Sequence, residues 1–438
     1  MSEGPAIVER ICAASCDSVF SGLYGPEYIE PQRERYISAA RSFEENFGSN
    51  RDIGFFSAPG RIEICGNHTD HNHGLVMAAS VNLDTLAAAA ANGGQTVRIC
   101  SEGYDGLITV DLSSLEPDSG EFGLSEGMVR GVAAGVKGFG GVTGGFDAYV
   151  TSDIVPGSGL SSSASFEIAI GVILSHLFND GRFTPVELGR IGQYAENVFF
   201  GKPSGLQDQL ACAVGGVILI DLADPGSPEV DSIDFDLGRF GLKLVLTDTR
   251  GSHVGLTDEY AAVRTEMEAV ARVFGKAVMN EVDPDRLFSR VSDVRKAAGD
   301  RALLRAIHFV MENKRVSALA SAIREGRIGD ILRLITESGH SSFEYNQNAY
   351  PKGAVNQEMP VALALSQWLL EGRGAWRLQG GGFAGTIQAY VPEGLVDAYC
   401  SLMNSVFGCD ASKAMTIRKT GCVAAVTGAD RPSSQTYR

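Results

Sequence analysis

PGSGLSSSASFE, residues 156–167, joins a glycine-rich turn to the start of a long apolar segment. Gly157 and Gly159 lack a Cβ atom, so the backbone there can approach a ligand closely. The serines that follow are good helix N-caps, and the apolar run ends at Asn-Asp-Gly, which predicts a helix over residues 161–178. The first N–H groups of that helix would face the loop, an arrangement that binds anions and phosphates in particular.

A glycine- and serine-rich turn that only caps a buried helix would have the same pattern. The sequence contains no Gly-Lys-Ser/Thr tripeptide, so this is not a Walker A loop, and the spacing is not that of the three-glycine dinucleotide fingerprint. If the loop holds phosphates, it does so without the usual lysine.

The overall composition is that of a globular protein with a real core. A length of 438 residues suggests two or three domains, and a net charge of −16 without a Lys/Arg cluster argues against nucleic acid as a partner. We find no signal peptide and no apolar run long enough to span a membrane. The eight cysteines are dispersed, which is typical of free thiols in a cytoplasmic protein.

Strands and helices do not alternate regularly along the chain, which indicates an α+β fold. The alanine run at 87–91 fits either a strand or a helix. A turn-rich segment at 215–229 is the candidate domain boundary. We predict a helix at 31–47, further helices between 250 and 337, and strands at 53–66, 75–91, 95–100, 146–154, 242–249 and 386–391.

Three further segments identify the chain by resemblance. APGRIEICGNHTDHNHG (58–74) resembles the galactokinase signature, and SGLQDQLACAVGG (204–216) resembles the segment that carries that family's catalytic aspartate. LQGGGFAG (378–385) resembles the third, glycine-rich motif of the GHMP kinase superfamily, to whose second motif residues 156–167 correspond. The resemblance implies a two-lobed GHMP kinase fold, with a ribosomal-protein-S5-like domain over residues 1–228 and a ferredoxin-like domain over 229–438.

The same resemblance implies a reaction and its cofactors. The chain would transfer the γ-phosphoryl group of ATP to the C1 hydroxyl of α-D-galactose, with Mg²⁺ as cofactor. Asp208 would take the proton of the hydroxyl and Arg61 would be its cationic neighbour, while Ser162 and Glu196 would hold the metal. The residues assigned to ATP are Gly157, Ser158, Gly159, Leu160, Ser161, Ser162 and Ser163. The glycines at 380–382 would let a backbone turn approach the nucleotide.

The sugar contacts implied by the resemblance are Asn67, His68, Asp70, His71, Gly205 and Tyr260. Two of these depart from the family, which has Glu at the position of Asn67 and Tyr at that of His71. That Glu bonds the C6 hydroxyl of the sugar, and an amide in its place would not repel a C6 carboxylate. Galacturonate is therefore an alternative substrate, although the rest of the signature favours galactose. Tyr260 could also be a buried structural residue.

Other interpretations of the same residues stay open. The positions 68, 70, 71 and 73 offer three His and one Asp, which could ligate a metal in a metal-dependent hydrolase, but no HExxH motif occurs. A sensor that binds sugar and ATP without catalysis is a further alternative, against which Arg61 and Asp208 argue. We expect a cytoplasmic protein that acts on small molecules, with no nucleic acid or membrane partner, as a monomer or weak homodimer.

Overall fold

The computed structural model describes residues 7–155, 157–252 and 255–427, and they form an α+β fold with two sheets. The strands are β1 (Gly54–Cys65), β2 (Leu75–Ala91), β3 (Thr96–Ser101), β4 (Leu107–Asp111), β5 (Phe146–Ser152), β6 (Val217–Asp221), β7 (Glu229–Ile233), β8 (Leu242–Asp248), β9 (Ala375–Leu378), β10 (Thr386–Pro392), β11 (Ser412–Met415) and β12 (Val423–Val426).

Helices cover both sheets. They are α1 (Ile7–Cys12), α2 (Asp17–Tyr24), α3 (Ile29–Phe47), α4 (Ser125–Gly138), α5 (Ser162–Asn179), α6 (Pro185–Tyr194), α7 (Gln207–Val214), α8 (Thr257–Val273), α9 (Pro284–Ser289), α10 (Val291–Ala298), α11 (Asp300–Arg324), α12 (Ile328–Ser341), α13 (Glu358–Leu370) and α14 (Val396–Phe407). The predicted helices at 31–47 and 161–178 are confirmed as α3 and α5. Each predicted strand is also present, with its ends shifted by a residue or two.

The large sheet has the order β12-β1-β2-β5-β3-β4, and β6 pairs with both β2 and β7. The alanine run lies in β2, so the strand interpretation is right and the helix alternative is wrong. Ala87 and Ala89 pack in the core beneath α4 and α5, whereas Ala88 and Ala90 pack in the core beneath α2 and α3. Because helices cover both faces here, residues 86–90 of this strand are apolar at every position instead of alternating.

The small sheet has the order β11-β8-β10-β9, and all of its pairings are antiparallel. The glycine-rich segment lies in the turn of the β9–β10 hairpin. Helix α12 packs on β9, and α11 packs against both α12 and β2, so the long helices connect the two sheets. This arrangement brings the glycine-rich turn next to the segments that flank β1.

The large sheet receives strands from both sides of residue 228. That residue lies in the turn of the β6–β7 hairpin, and β12 returns from the end of the described chain to pair with β1. The division into residues 1–228 and 229–438 stays a prediction. In the part of the chain that the structure describes, no helix has the length and apolar character needed to cross a membrane.

Candidate active site

A cleft of about 720 Å³ lies between the end of β1, the start of α7, α8 and the glycine-rich turn. We call it the Asp208 cleft. It collects every residue that the sequence predicted for catalysis and sugar binding: Arg61, Asn67, His68, Asp70, His71, Gly205, Asp208 and Tyr260. Residues far apart in sequence therefore share one site.

The Asp208 carboxylate lies in the first turn of α7 and is bound on both oxygens by Arg61. Arg61 Nε donates to Oδ1 at 2.7 Å and Nη2 donates to Oδ2 at 2.8 Å, and the Ser161 hydroxyl also donates to Oδ2. Burial alone would raise the pKa of Asp208, but Arg61, Ser161 and Lys202 outweigh it, so this pKa lies below its usual value. The carboxylate is therefore ionised at neutral pH.

The phosphate-loop candidate runs into α5 through a residue with an unusual backbone. Ser161 has φ 58° and ψ 59°, a left-handed conformation that costs a non-glycine residue about 1–3 kcal/mol. The Gly159 carbonyl accepts hydrogen bonds from Arg61 Nη1 and from Gln379 Nε2, the latter at 2.9 Å. These contacts fix the loop, and the first N–H groups of α5 have no acceptor within the helix.

A second cavity of about 890 Å³, which we call the loop cavity, adjoins the start of α5. Ser162 and Ser163 line it together with residues 101–102, 104–108 and 123–126. Its rim is apolar and exposed, with Tyr104 66% and Val155 63% accessible to solvent. The sequence alone predicted no pocket for a nucleotide base. The exposed Tyr104, in a loop flanked by glycines, is a sequence feature that such a pocket would have. Nothing in the sequence, however, places that loop next to residue 162.

Glu196 lies beside the same loop and is 2% exposed. Its Oε1 accepts from Lys202 Nζ at 2.7 Å and from Ser163 Oγ at 3.3 Å, while Oε2 accepts from Gln209 Nε2 at 2.8 Å. The predicted metal pair was Ser162 with Glu196, whereas the serine that contacts Glu196 is Ser163. Ser162 lines the loop cavity, so its role at a metal stays a prediction.

The segment 66–74 is a tight loop between β1 and β2. His68 has a left-handed φ of 58°, and its Nε2 donates to the carbonyl of Gly381 at 2.9 Å. Burial lowers the pKa of His68 to about 4, so the ring is neutral. The His68 and His71 rings are stacked with centroids 6.2 Å apart, and the backbone N–H of His71 donates to Asp70 Oδ1 at 2.9 Å. In residues 7–155, 157–252 and 255–427 no group of three potential ligands converges on a metal site.

Asn67 is 1% exposed and both ends of its amide bond to protein. Nδ2 donates to Glu63 Oε1 at 3.0 Å and to the Gly380 carbonyl at 2.8 Å. Oδ1 accepts from three further side chains, at 2.8 Å from Asn348, at 3.2 Å from Ser342 and at 3.4 Å from Asn346. The amide is thus fully used in holding the loop, although it borders the cleft.

Glu63 is a residue that the sequence analysis missed, and it lines the Asp208 cleft. Arg377 Nη2 donates to its Oε1 at 2.5 Å, and Gln207 Nε2 donates to Oε2 at 3.3 Å. Burial raises the pKa of Glu63, and the charges of Arg377 and Arg61 oppose that shift. The available signal was its position two residues after Arg61, since alternate residues of a strand face the same side.

Three side chains of helix α11 form hydrogen bonds with the backbone at the ends of the 66–74 loop. The Glu312 carboxylate accepts from the backbone N–H of Gly66 at 2.9 Å, and Asn313 Oδ1 accepts from Leu75 N at 2.8 Å. His308 Nε2 bonds to the Asn67 carbonyl at 2.8 Å. These bonds hold both ends of the loop in place.

Gly205 and Tyr260 border the loop from the other side. A Cβ atom on Gly205 would lie 1.8 Å from Asp70 Oδ2, so only glycine permits this approach. The Tyr260 hydroxyl donates to the Gly382 carbonyl at 2.8 Å, and its ring meets Phe383 edge-on at 5.2 Å. Tyr260 therefore has a structural contact and also lines the cleft.

Comparisons with known proteins agree with this geometry. Residues 41–91 match the family model for the galactokinase galactose-binding signature, and residues 127–216 match that for the GHMP kinase N-terminal domain. A galactokinase of Streptococcus suis is 32% identical over 82% of this chain and 90% of its own length. The chain belongs to the galactokinase family. A galactokinase of Actinobacillus pleuropneumoniae is 30% identical over the same shares of the two chains.

Solved structures confirm the predicted fold. The galactokinase of Lactococcus lactis in complex with galactose matches 88% of this chain and 98% of its own, with 26% identity and a TM-score of 0.76. A mevalonate kinase at 13% identity and a TM-score of 0.60 shares the GHMP kinase fold. The family prediction is confirmed, and this galactokinase-family chain is an ATP-dependent sugar kinase.

Proposed function

We propose that the chain transfers the γ-phosphoryl group of ATP to the C1 hydroxyl of α-D-galactose, giving galactose 1-phosphate and ADP. The observation that carries this proposal is the Asp208 carboxylate, held on both oxygens by Arg61 in the cleft that also contains the sugar-binding signature. The relatives named galactokinase and the galactose complex of the Lactococcus lactis protein support galactose as the substrate.

In the proposed reaction the sugar hydroxyl oxygen bonds to the γ-phosphorus while the bond from that phosphorus to the β–γ bridging oxygen breaks. Asp208 accepts the hydroxyl proton, and ADP leaves. A carboxylate with a lowered pKa is a weak base, but it suits a loose transition state in which the proton moves late. Arg61 keeps the base ionised and fixes its direction.

The phosphates of ATP are assigned to the loop 157–163 and the adenine to the loop cavity. Mg²⁺ is assigned to Glu196 with a loop serine, Ser162 or Ser163. Glu196 fits this role because it is a buried carboxylate that already holds one cation, the Lys202 ammonium. The metal would neutralise charge on the β- and γ-phosphates.

The cleft supports a neutral sugar over a sugar acid. Position 67 has an amide where the family has a carboxylate. The Asn67 amide is bound to protein partners and is not free for a C6 group. Asn67 and Arg377 both donate to Glu63, which lines the cleft, so Arg377 is not free to bind a uronate carboxylate. Asp70 Oδ2, which faces Gly205, is assigned to the sugar hydroxyls, with His68 and Tyr260 beside it.

An ADP-release assay with galactose, galacturonate, N-acetylgalactosamine, glucuronate and arabinose tests the proposal. We expect galactose to be the best substrate. The NMR spectrum of its product should show the phosphorus of the phosphate coupled to the anomeric proton. Asp208→Asn should keep the fold and lose about 10²–10⁴-fold in kcat. A clear preference for galacturonate would overturn the choice of sugar, and no ADP release with any sugar would favour a non-catalytic sensor.

Three further assignments remain proposals: a cytoplasmic location, no nucleic acid or membrane partner, and a monomeric or weakly dimeric state. Light scattering over a range of concentrations measures the last of these. A stable dimer at submicromolar concentration would contradict it.

A further inference from the structure

Lys202 lies at the junction of the two cavities. Its Nζ is 2.7 Å from Glu196 Oε1, and the same oxygen accepts from Ser163 Oγ at 3.3 Å. Lys202 lines the Asp208 cleft, whereas Ser163 lines the loop cavity. A phosphoryl group that passes from a nucleotide in one cavity to an acceptor in the other must cross this junction.

The two arginines that line the Asp208 cleft with Lys202 also have carboxylate partners. Arg61 is 6% exposed, and its guanidinium donates to both oxygens of Asp208 and to the carbonyl of Gly159. Arg264 pairs through Nε with Glu268 at 2.7 Å, one turn further along α8. The Lys202 side chain is 58% exposed, and an ammonium has three donors of which the contact with Glu196 takes one.

The charges around the junction favour positive charge there in addition to the proposed Mg²⁺. Glu196 and Asp208 are both carboxylates, and each would repel an incoming γ-phosphate. The Lys202 ammonium, 2.7 Å from Glu196 Oε1 and on the lining of the Asp208 cleft, can neutralise an anion that arrives between the two carboxylates.

We propose that Lys202 is a catalytic residue whose ammonium binds a non-bridging oxygen of the γ-phosphoryl group during transfer. This proposal rests on the proposed kinase function. Lys202 would supply the cation that the loop 157–163, which contains no lysine, lacks. The bonds made and broken are those of the proposed transfer: the sugar oxygen bonds to phosphorus, the bond to ADP breaks, and Asp208 takes the hydroxyl proton. Lys202 keeps its own proton throughout and stabilises charge as the group moves.

The test compares Lys202→Met, Lys202→Gln and Lys202→Arg with wild type. Because a preorganised cation at transferring phosphate acts on the transition state, we expect Met and Gln to lose about 10²–10³-fold in kcat. The KM for the sugar should change by less than about threefold, and Arg should recover much of the loss. Gln can still donate to Glu196, so it keeps the fold if Met does not. Lys419→Met, an exposed lysine whose Nζ is 3.7 Å from Asp234, is the matched control and should behave as wild type.

A binding measurement adds a readout that needs no turnover. A contact with the γ-phosphoryl group should make Lys202→Gln bind a non-hydrolysable ATP analogue about tenfold more weakly, with ADP affinity unchanged. A kcat of Lys202→Gln within threefold of wild type would overturn the inference, and so would equal losses for the analogue and ADP. If wild type phosphorylates no sugar, the proposed function fails, and the analogue-versus-ADP comparison still decides whether Lys202 contacts the γ-phosphate.

Discussion

Asn67→Asp is the change that most directly tests whether position 67 holds the loop or binds the sugar. The two side chains have the same shape, so the substitution exchanges only an NH₂ group for a carboxylate oxygen. In the structure that NH₂ group donates to Glu63 Oε1 at 3.0 Å and to the Gly380 carbonyl at 2.8 Å. The variant therefore loses two buried hydrogen bonds and sets one carboxylate against another.

The cost follows from these contacts. The Gly380 carbonyl loses its donor, which costs about 1–3 kcal/mol, whereas Glu63 Oε1 keeps the donor from Arg377. An uncompensated buried charge costs about 3–5 kcal/mol. Part of the second term is relieved when the new carboxyl group takes up a proton. We therefore expect the free energy of unfolding to fall by about 3–5 kcal/mol at pH 7.

Urea denaturation followed by fluorescence measures this change. The control is Asn46→Asp, the same chemical change on the exposed face of α3, which should stay within about 0.5 kcal/mol of wild type. In the double variant Glu63→Gln with Asn67→Asp, an amide again faces a carboxylate, and the pair should recover about 1 kcal/mol or more. If Asn67→Asp is as stable as wild type while the sugar KM rises tenfold, position 67 binds the sugar and our interpretation is wrong.

Three other measurements test the cleft and its support. Gly205→Ala places a Cβ atom 1.8 Å from Asp70 Oδ2, so the sugar KM should rise at least about tenfold. Gly394→Ala, with open space around it, is the control and should leave KM unchanged. Equal KM values for the two variants would refute the assignment of Asp70. The pKa of His68 is lowered to about 4, so the NMR signals of its ring should not shift between about pH 5.5 and 8, and a titration step near pH 6.5 in those signals would contradict a neutral ring. The pKa of Glu312 is lowered to about 2, because His308 and Arg315 outweigh the opposing effect of burial. The ionised Glu312 therefore stabilises the fold by about 3 kcal/mol above its unfolded pKa near 4.5, and this contribution is lost as pH falls towards 2. Glu312→Gln should flatten that acid limb of a stability-versus-pH curve, and an unchanged limb would show that other carboxylates cause it.

The local motifs predicted the fold well because each contains its own physical reason. The serines at 161–163 followed by an apolar run allow a helix and little else, and α5 begins at Ser162. Asp208 and Arg61 were placed through the family motif, and the structure pairs them. The alanine run was ambiguous by composition, and only the helices on both faces of β2 made it a strand.

The role of Asn67 could not be predicted, since its partners come from distant segments. Ser342 and Asn348 are 275 and 281 residues away in sequence and reach it through the packing of α11 and α12 on the large sheet. Without those partners an asparagine in a sugar signature looks like a sugar contact. Lys202 was missed for a related reason, because its significance depends on the buried carboxylate of Glu196 and on two cavities that no spacing reveals.

The glycine-rich turn at residues 380–382, with the neighbouring Gln379, takes part in the contacts of both the 66–74 loop and the 157–163 loop. The carbonyls of residues 380–382 accept, in order, from Asn67, His68 and Tyr260, while the neighbouring side chain of Gln379 donates to the Gly159 carbonyl of the 157–163 loop. A Cβ at the middle position would lie 2.6 Å from the Tyr260 ring, so glycine is needed there for the approach of sugar-site side chains. Because one turn bonds to both the 66–74 loop and the 157–163 loop, a displacement of either loop must strain the other.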